Sequence, residues 1–278
     1  MGNPQFSVFT KPWKTQSLDE LGMLVRSMGF DAVEYPLREG YQAQNPEDIT
    51  GLCAALGRQG VAVTSLAAGI DVAVTDGRGE VVGASEKLLA ACGENGIPVI
   101  RICQSLDRSL GFWENIDALR RKYDVIARGC ERHGVTLGVQ MHYGSADIAN
   151  SYDSYILLKD YDPRYIAAVW DAGHSGLAGE PPNYALDCLW NHLCMVNFKA
   201  AYWQRLNEPE DDDEIAYYGA RWTTGRLGMC PWEDAICYLK DRGYSGNICL
   251  PAEYSDERNV EVYTKSDLAY IKELWEDA

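Results

Sequence analysis

The chain has 278 residues, with 41 Asp and Glu against 25 Lys and Arg and a formal net charge of −16. That length buries a substantial core, as one large domain or two small ones. The acidic surplus argues against a nucleic-acid partner and against an anionic membrane surface, both of which need clustered Lys and Arg. It suits a protein dissolved in cytoplasm.

Short apolar runs alternate with amphipathic stretches. The runs predict strands at Phe6–Thr10, Ala32–Tyr35, Val61–Leu66, Val99–Ile102, Thr136–Met141, Ile166–Trp170, Cys194–Phe198 and Asn247–Leu250. Helical periodicity fills the gaps at Leu18–Met28, Ile49–Leu56, Ala84–Cys92, Trp113–Cys130 and Trp232–Leu239. Each of these is followed by a glycine suited to closing a helix: Gly29, Gly60, Gly96, Gly134 and Gly243. Ser17-Leu-Asp-Glu20 fits a capping box, and Pro231 suits a first helical turn.

Eight strand–helix units predict an α/β fold, a single (β/α)8 TIM barrel spanning residues 1–278. A doubly wound open sheet uses the same alternation. However, Thr10-Lys-Pro-Trp-Lys14 follows the first strand where a Gly-rich phosphate loop would stand, so the barrel is favoured and no nucleotide cofactor is expected. Residues 200–229 read as irregular, a long loop on the catalytic face acting as a lid or substrate contact. The acidic run Glu208–Glu214 inside it reads as solvated.

The nine cysteines lie mostly in apolar segments without a CxxC spacing, as expected of buried reduced thiols. The N-terminus lacks the pattern of a secretory signal and no apolar run reaches the ~18 residues of a membrane span, so a cytoplasmic location is expected.

Barrel strands deliver side chains from their C-terminal ends into a shared cleft. The sixth strand ends in Trp170-Asp171-Ala-Gly-His174, the eighth in Pro251-Ala-Glu253, the fifth in Gln140-Met-His142. Two converging carboxylates repel unless a cation separates them or one is protonated. Mg²⁺ or Mn²⁺ would separate them, with Gln140 adding a carbonyl oxygen. Helix N-capping accounts for Asp171 alone equally well, though not for the whole set.

Glu34 ends the second strand, and Arg101 interrupts the fourth, where it needs an anionic partner. They are either substrate contacts or each other's structural partner. Lys199 follows Asn197 at the end of the seventh strand as a substrate anchor, an electrophile or an ion-pair partner of Asp171 or Glu253. Trp13, Tyr35, Trp170, Tyr202, Trp203 and Trp222 crowd these ends with faces suited to sugar rings, although Trp170 fits the core better. Trp13, Trp203 and Arg221 are carried as substrate-binding candidates. His133 and His192 precede strands and receive no role.

The segments Gly29–Glu34, Gly134–Gly144, Trp170–His174, Val196–Lys199 and Gly243–Glu253, in this order, resemble the xylose-isomerase-like TIM-barrel superfamily of sugar phosphate isomerases and epimerases. The resemblance implies a small-molecule sugar substrate and a divalent metal held at positions matching Gln140, Asp171, Asn197 and Glu253. It also implies substrate contact by the residue matching His174. Two of those four positions are amides here, and an amide cannot titrate. Glu253 is then the expected base, with His142, His174 or Lys199 as second proton carrier.

The resemblance also leaves room for a homo-oligomer, for an inosose-dehydratase-like lyase, and for a non-catalytic sugar-binding homologue without its metal. The superfamily's DNA-repair nuclease reading fails on charge and on the need for many metal ligands, since this chain has four His.

Overall fold

The structure, a computed structural model, describes residues 3–70, 83–144, 147–208 and 215–277, with Ala84 described by its backbone. Eight strands close a parallel barrel: β1 (Gln5–Phe9), β2 (Ala32–Pro36), β3 (Ala62–Ala67), β4 (Val99–Cys103), β5 (Thr136–Gln140), β6 (Ile166–Asp171), β7 (Leu193–Asn197) and β10 (Asn247–Leu250). Their spatial order is β1-β10-β7-β6-β5-β4-β3-β2. The expected barrel is therefore observed, and the open sheet is not.

The strands form as near-continuous apolar runs because helices cover their outer faces. Those helices include α1 (Leu18–Ser27), α2 (Ile49–Arg58), α3 (Gly83–Glu94) and α4 (Phe112–His133). They continue with α5 (Ser151–Leu158), α6 (Ala172–Leu177), α7 (Pro182–Leu189), α8 (Trp232–Asp241) and α9 (Val260–Asp277). Ser17 caps α1 through the expected box with Glu20. The five glycines expected to close helices all have left-handed backbones, from φ 66° at Gly134 to 96° at Gly29. Pro231 sits one residue before α8, with extended backbone, rather than in its first turn.

Period-two alternation decides what reaches the barrel axis. Val8, Val33, Leu66, Ile100, Val139, Ala168, Val196 and Ile248 join the outer core beneath the helices. A separate inner cluster of Phe9, Val99, Val169, Met195 and Cys249 plugs the barrel. Arg101, Asp171 and Asn197, two residues beyond Val99, Val169 and Met195, therefore face inward with this plug, as do Glu34 and Gln140, which alternate with the outward Val33 and Val139.

The region expected to be irregular instead holds an antiparallel hairpin, β8 (Ala200–Arg205) with β9 (Tyr218–Thr223). Aromatic and β-branched residues such as Tyr202, Trp203, Trp222 and Thr223 favour that pairing. Glu208 is exposed, while residues 209–214 of the acidic run lie outside the described residues. Among the described residues, no helix is long and apolar enough to cross a membrane.

Candidate functional site

Above the plug, at the C-terminal ends of the strands, opens a cavity of about 350 Å³. Its polar lining includes Lys11 after β1, Arg38 after β2, Arg101, Cys103, Gln140, His142 after β5, Asp171, Asn197, Lys199 after β7 and Glu253 after β10. Its size falls in the range of small-molecule sites. A second cleft shares Lys11, His142, Lys199 and Glu253 and extends past Trp222.

A chain of charge-assisted hydrogen bonds crosses the cavity floor. Arg101 Nε donates to Glu34, which is fully buried. Arg101 Nη1 donates to Gln140 Oε1, and Gln140 Nε2 donates 2.7 Å to Asp171 Oδ2. Asp171 Oδ1 accepts the backbone N–H of His174, so Asp171 caps α6 as well as lining the cavity. Burial pushes the Asp171 carboxyl up, against the pull of Lys199 and the His174 N–H.

Glu253 lies between two ammonium groups. Lys199 Nζ is 2.8 Å from its Oε2, and Lys11 Nζ donates to its Oε1. Burial alone would raise its carboxyl, but the two lysines overcome this and hold it at about 2. The chain reaches this geometry through Ala252, whose φ of 53° is the only left-handed non-glycine backbone among the described residues. Such a conformation is costly for a residue with a Cβ and turns Glu253 away from the path of the strand. Lys199 also lies 3.8 Å from the centre of the Trp222 ring.

His142 and His174 lie against each other with ring centroids 4.1 Å apart and planes tilted by 38°. His174 Nδ1 accepts the Tyr143 N–H at 3.0 Å, which puts the proton on Nε2. Burial, then Lys199, push this imidazole well below the usual histidine range, so it is neutral. His142 is part-exposed, with Nδ1 3.2 Å from Asp147.

The donor set does not fit a divalent ion. The Gln140 amide has one orientation compatible with its neighbours: reversed, its NH₂ would face the Arg101 guanidinium, donor against donor. Its oxygen is therefore taken, and its NH₂ points at the Asp171 carboxylate that would bind the ion. Glu253 already neutralises two ammonium groups. Among the described residues Asn197 Oδ1 and His174 Nε2 are both buried without a partner, but Nε2 carries the imidazole proton and cannot ligate an ion. Among the described residues, no three His, Cys, Asp or Glu side chains converge to hold a metal.

The structure gathers Arg101, Gln140, His142, Asp171, Asn197, Lys199 and Glu253 around one cavity. Glu34 lies beneath it as the partner of Arg101. Four candidates sit elsewhere. His174, at 1% exposure, lies behind His142 and lines neither cleft, so it is not placed to touch substrate. Trp13 is buried in the outer core, at 5% exposure. Trp203 packs edge-on against Tyr143 and donates its indole N–H to the Leu177 carbonyl. Arg221 is exposed on the hairpin, opposite Tyr202. Sequence reasoning missed Lys11 and Arg38. The signal for Lys11 was its place two residues past β1, the same strand-end position that singled out Lys199. His133 pairs with Glu86 at 2.8 Å at the end of α4.

A closed parallel barrel with its polar cluster at the C-terminal strand ends defines a class of TIM-barrel proteins with an enzyme-like site. The chain belongs to the xylose isomerase-like TIM barrel family, whose model matches residues 23–274. Solved structures with the same fold include a 3-keto-D-glucoside 4-epimerase from E. coli (14% identity, TM-score 0.72, covering 98% of this chain and 100% of that one). Another is a probable 3-DHS dehydratase from Bacillus anthracis (13%, 0.70, 96% and 98%). A third is a D-psicose 3-epimerase from Clostridium cellulolyticum H10 (12%, 0.67, 98% and 99%). At these identities the likeness is one of fold. No curated protein matches the chain in sequence.

Proposed function

We propose that the chain is an isomerase or epimerase of a small ketose, polyol-derived ketone or keto-sugar, moving a proton on the carbon beside a carbonyl. The observation that carries this reading is the Glu253 carboxylate held between Lys11 and Lys199 at the mouth of the barrel. A carboxylate held at about 2 is ionised at neutral pH but weakly basic. A substrate carbonyl that draws the Lys199 ammonium onto its own oxygen removes that restraint, and Glu253 becomes a stronger base as the substrate becomes a stronger acid. Glu253 then takes the proton from the adjacent carbon, and Lys199 stabilises the enediolate oxygen. His142 lines the cavity and is the proposed second proton carrier, while His174, neutral and packed against it, fixes its ring.

No step is assigned to a divalent ion, because Lys199 and Arg101 supply the positive charge and the amide at Gln140 blocks the coordination its position would otherwise offer. A thermal-shift screen of ketoses and polyols, with and without Mn²⁺, tests the reading. A sugar should raise the melting temperature equally in both. A shift seen with Mn²⁺ alone would return the site to metal chemistry, and no shift with any sugar would remove the substrate class.

One observation favours a second reaction on the same intermediate. Gln140 cannot titrate, so the cavity does not offer a carboxylate base on each face of the reacting carbon. Elimination of water needs one base and one acid, so a dehydratase is the second reading.

A further inference from the structure

The cavity inverts the charge of the chain that encloses it. With a net charge of −16, the protein nevertheless lines this cavity with four cations: Lys11, Arg38, Arg101 and Lys199. Three carboxylates answer them. Glu34 holds Arg101, Glu253 lies between Lys11 and Lys199, and Asp171 sits opposite, near Lys199. Arg38 is left over. Its Nη2 is 3.4 Å from the Tyr41 hydroxyl and its guanidinium lies 5.2 Å over that ring. No carboxylate among the described residues pairs with it. The Tyr41 hydroxyl in turn donates to the Lys11 carbonyl at 3.1 Å. One aromatic side chain thus holds Arg38 beside the Lys11 corner of the cavity.

A guanidinium at the rim of a cavity with no carboxylate partner among the described residues suits an anionic ligand better than a neutral sugar. Its planar fork matches the paired oxygens of a carboxylate or phosphate. A strongly negative protein repels anionic ligands at long range, so binding one requires a local surplus of this kind. We infer that the substrate carries one acidic group, a carboxylate or a phosphate, remote from its reacting carbon and recognised by Arg38 with Lys11 alongside. This deepens the reading of the cavity as a sugar site and rests on it. Lys199 works at the carbonyl end, and Arg38, at the Lys11 corner, fixes the acidic group, which sets which carbon meets Glu253.

Calorimetric titration of the whole chain with D-fructose, D-fructuronate and D-fructose 6-phosphate tests the inference. One acidic ligand should bind at least about tenfold tighter than fructose in low salt, with the advantage shrinking in high salt. Whichever arm shows the advantage identifies the acidic group. Arg38→Gln should reduce the advantage to less than about threefold. Arg38→Lys, which keeps the charge and loses the fork, should fall between the two. Equal binding of all three ligands, binding of neither acid, or an advantage that survives Arg38→Gln in a folded variant would overturn it. The two levels separate cleanly. Acid preference without proton exchange in deuterated water sinks the proposed reaction and leaves this inference. Exchange on neutral fructose with no acid preference does the reverse.

Discussion

Lys199 and Glu253 meet from the ends of two neighbouring strands, with Nζ 2.8 Å from Oε2, while the same ammonium rests 3.8 Å from the centre of the Trp222 ring. The ring face offers the ammonium a second favourable contact. Base strength at Glu253 is therefore tied to where the Lys199 ammonium sits.

Replacing Glu253 with Gln keeps the size of the side chain and removes the base. Activity should fall by about a thousandfold, within the usual range for losing a general base. Circular dichroism should show the fold intact. A variant with near-normal kcat/KM would transfer the role to another group.

Lys199→Met should weaken turnover and also move the pH profile. With one of its two ammonium partners gone, the Glu253 carboxyl rises from about 2, so the acid limb of the kcat/KM profile shifts to higher pH. A loss of activity with an unmoved acid limb would point to a purely structural lysine.

Glu253 also makes stability depend on pH, with a definite sign. Its folded-state carboxyl lies near 2, below the ordinary range of about 4.3, so the unfolded chain binds more protons between those values. Its contribution is fully present above about pH 4.3 and is lost as the pH falls toward about 2. Urea midpoints across this window should fall more steeply for the native chain than for Glu253→Gln. Parallel curves would contradict the lysine clamp.

Glu34→Gln leaves the Arg101 guanidinium in the barrel without its carboxylate. Breaking a buried pair from one side costs about 3–5 kcal/mol. Urea unfolding followed by fluorescence measures this, and a cost under about 1 kcal/mol, the level of an exposed pair, would mean that water reaches Arg101.

Treatment with a chelator should leave both melting temperature and turnover unchanged, since Gln140 faces Arg101 and Asp171 with both ends of its amide engaged. Activity lost to EDTA and restored by Mn²⁺ would show that Arg101 and Lys199 move aside for an ion.

The barrel was legible because buried parallel strands are apolar throughout and because a glycine closes helix after helix, as at Gly29 and Gly134. The hairpin was not, because β8 and β9 pair across residues 206–217, and local patterning carries no record of a distant partner. Helix α6 was signalled only by the capping reading of Asp171: all six of its residues are buried, so it has no polar face to reveal a helical period.

At the site, Asp171, Lys199 and Glu253 stood out because charge at the end of an apolar run is costly without a purpose. Arg38 did not, since an arginine in a loop after a strand is ordinarily solvated. Trp13 misled for the opposite reason: the chain folds back after Pro12 and buries the indole in the outer core, which nothing in the local sequence announces.

Turnover of a ketose or keto-acid in deuterated water, followed by proton NMR and mass spectrometry, tests the central claim most directly. The account predicts one solvent deuterium on the carbon beside the carbonyl, absent with Glu253→Gln. Product formed with no deuterium at that carbon would contradict proton transfer through Glu253.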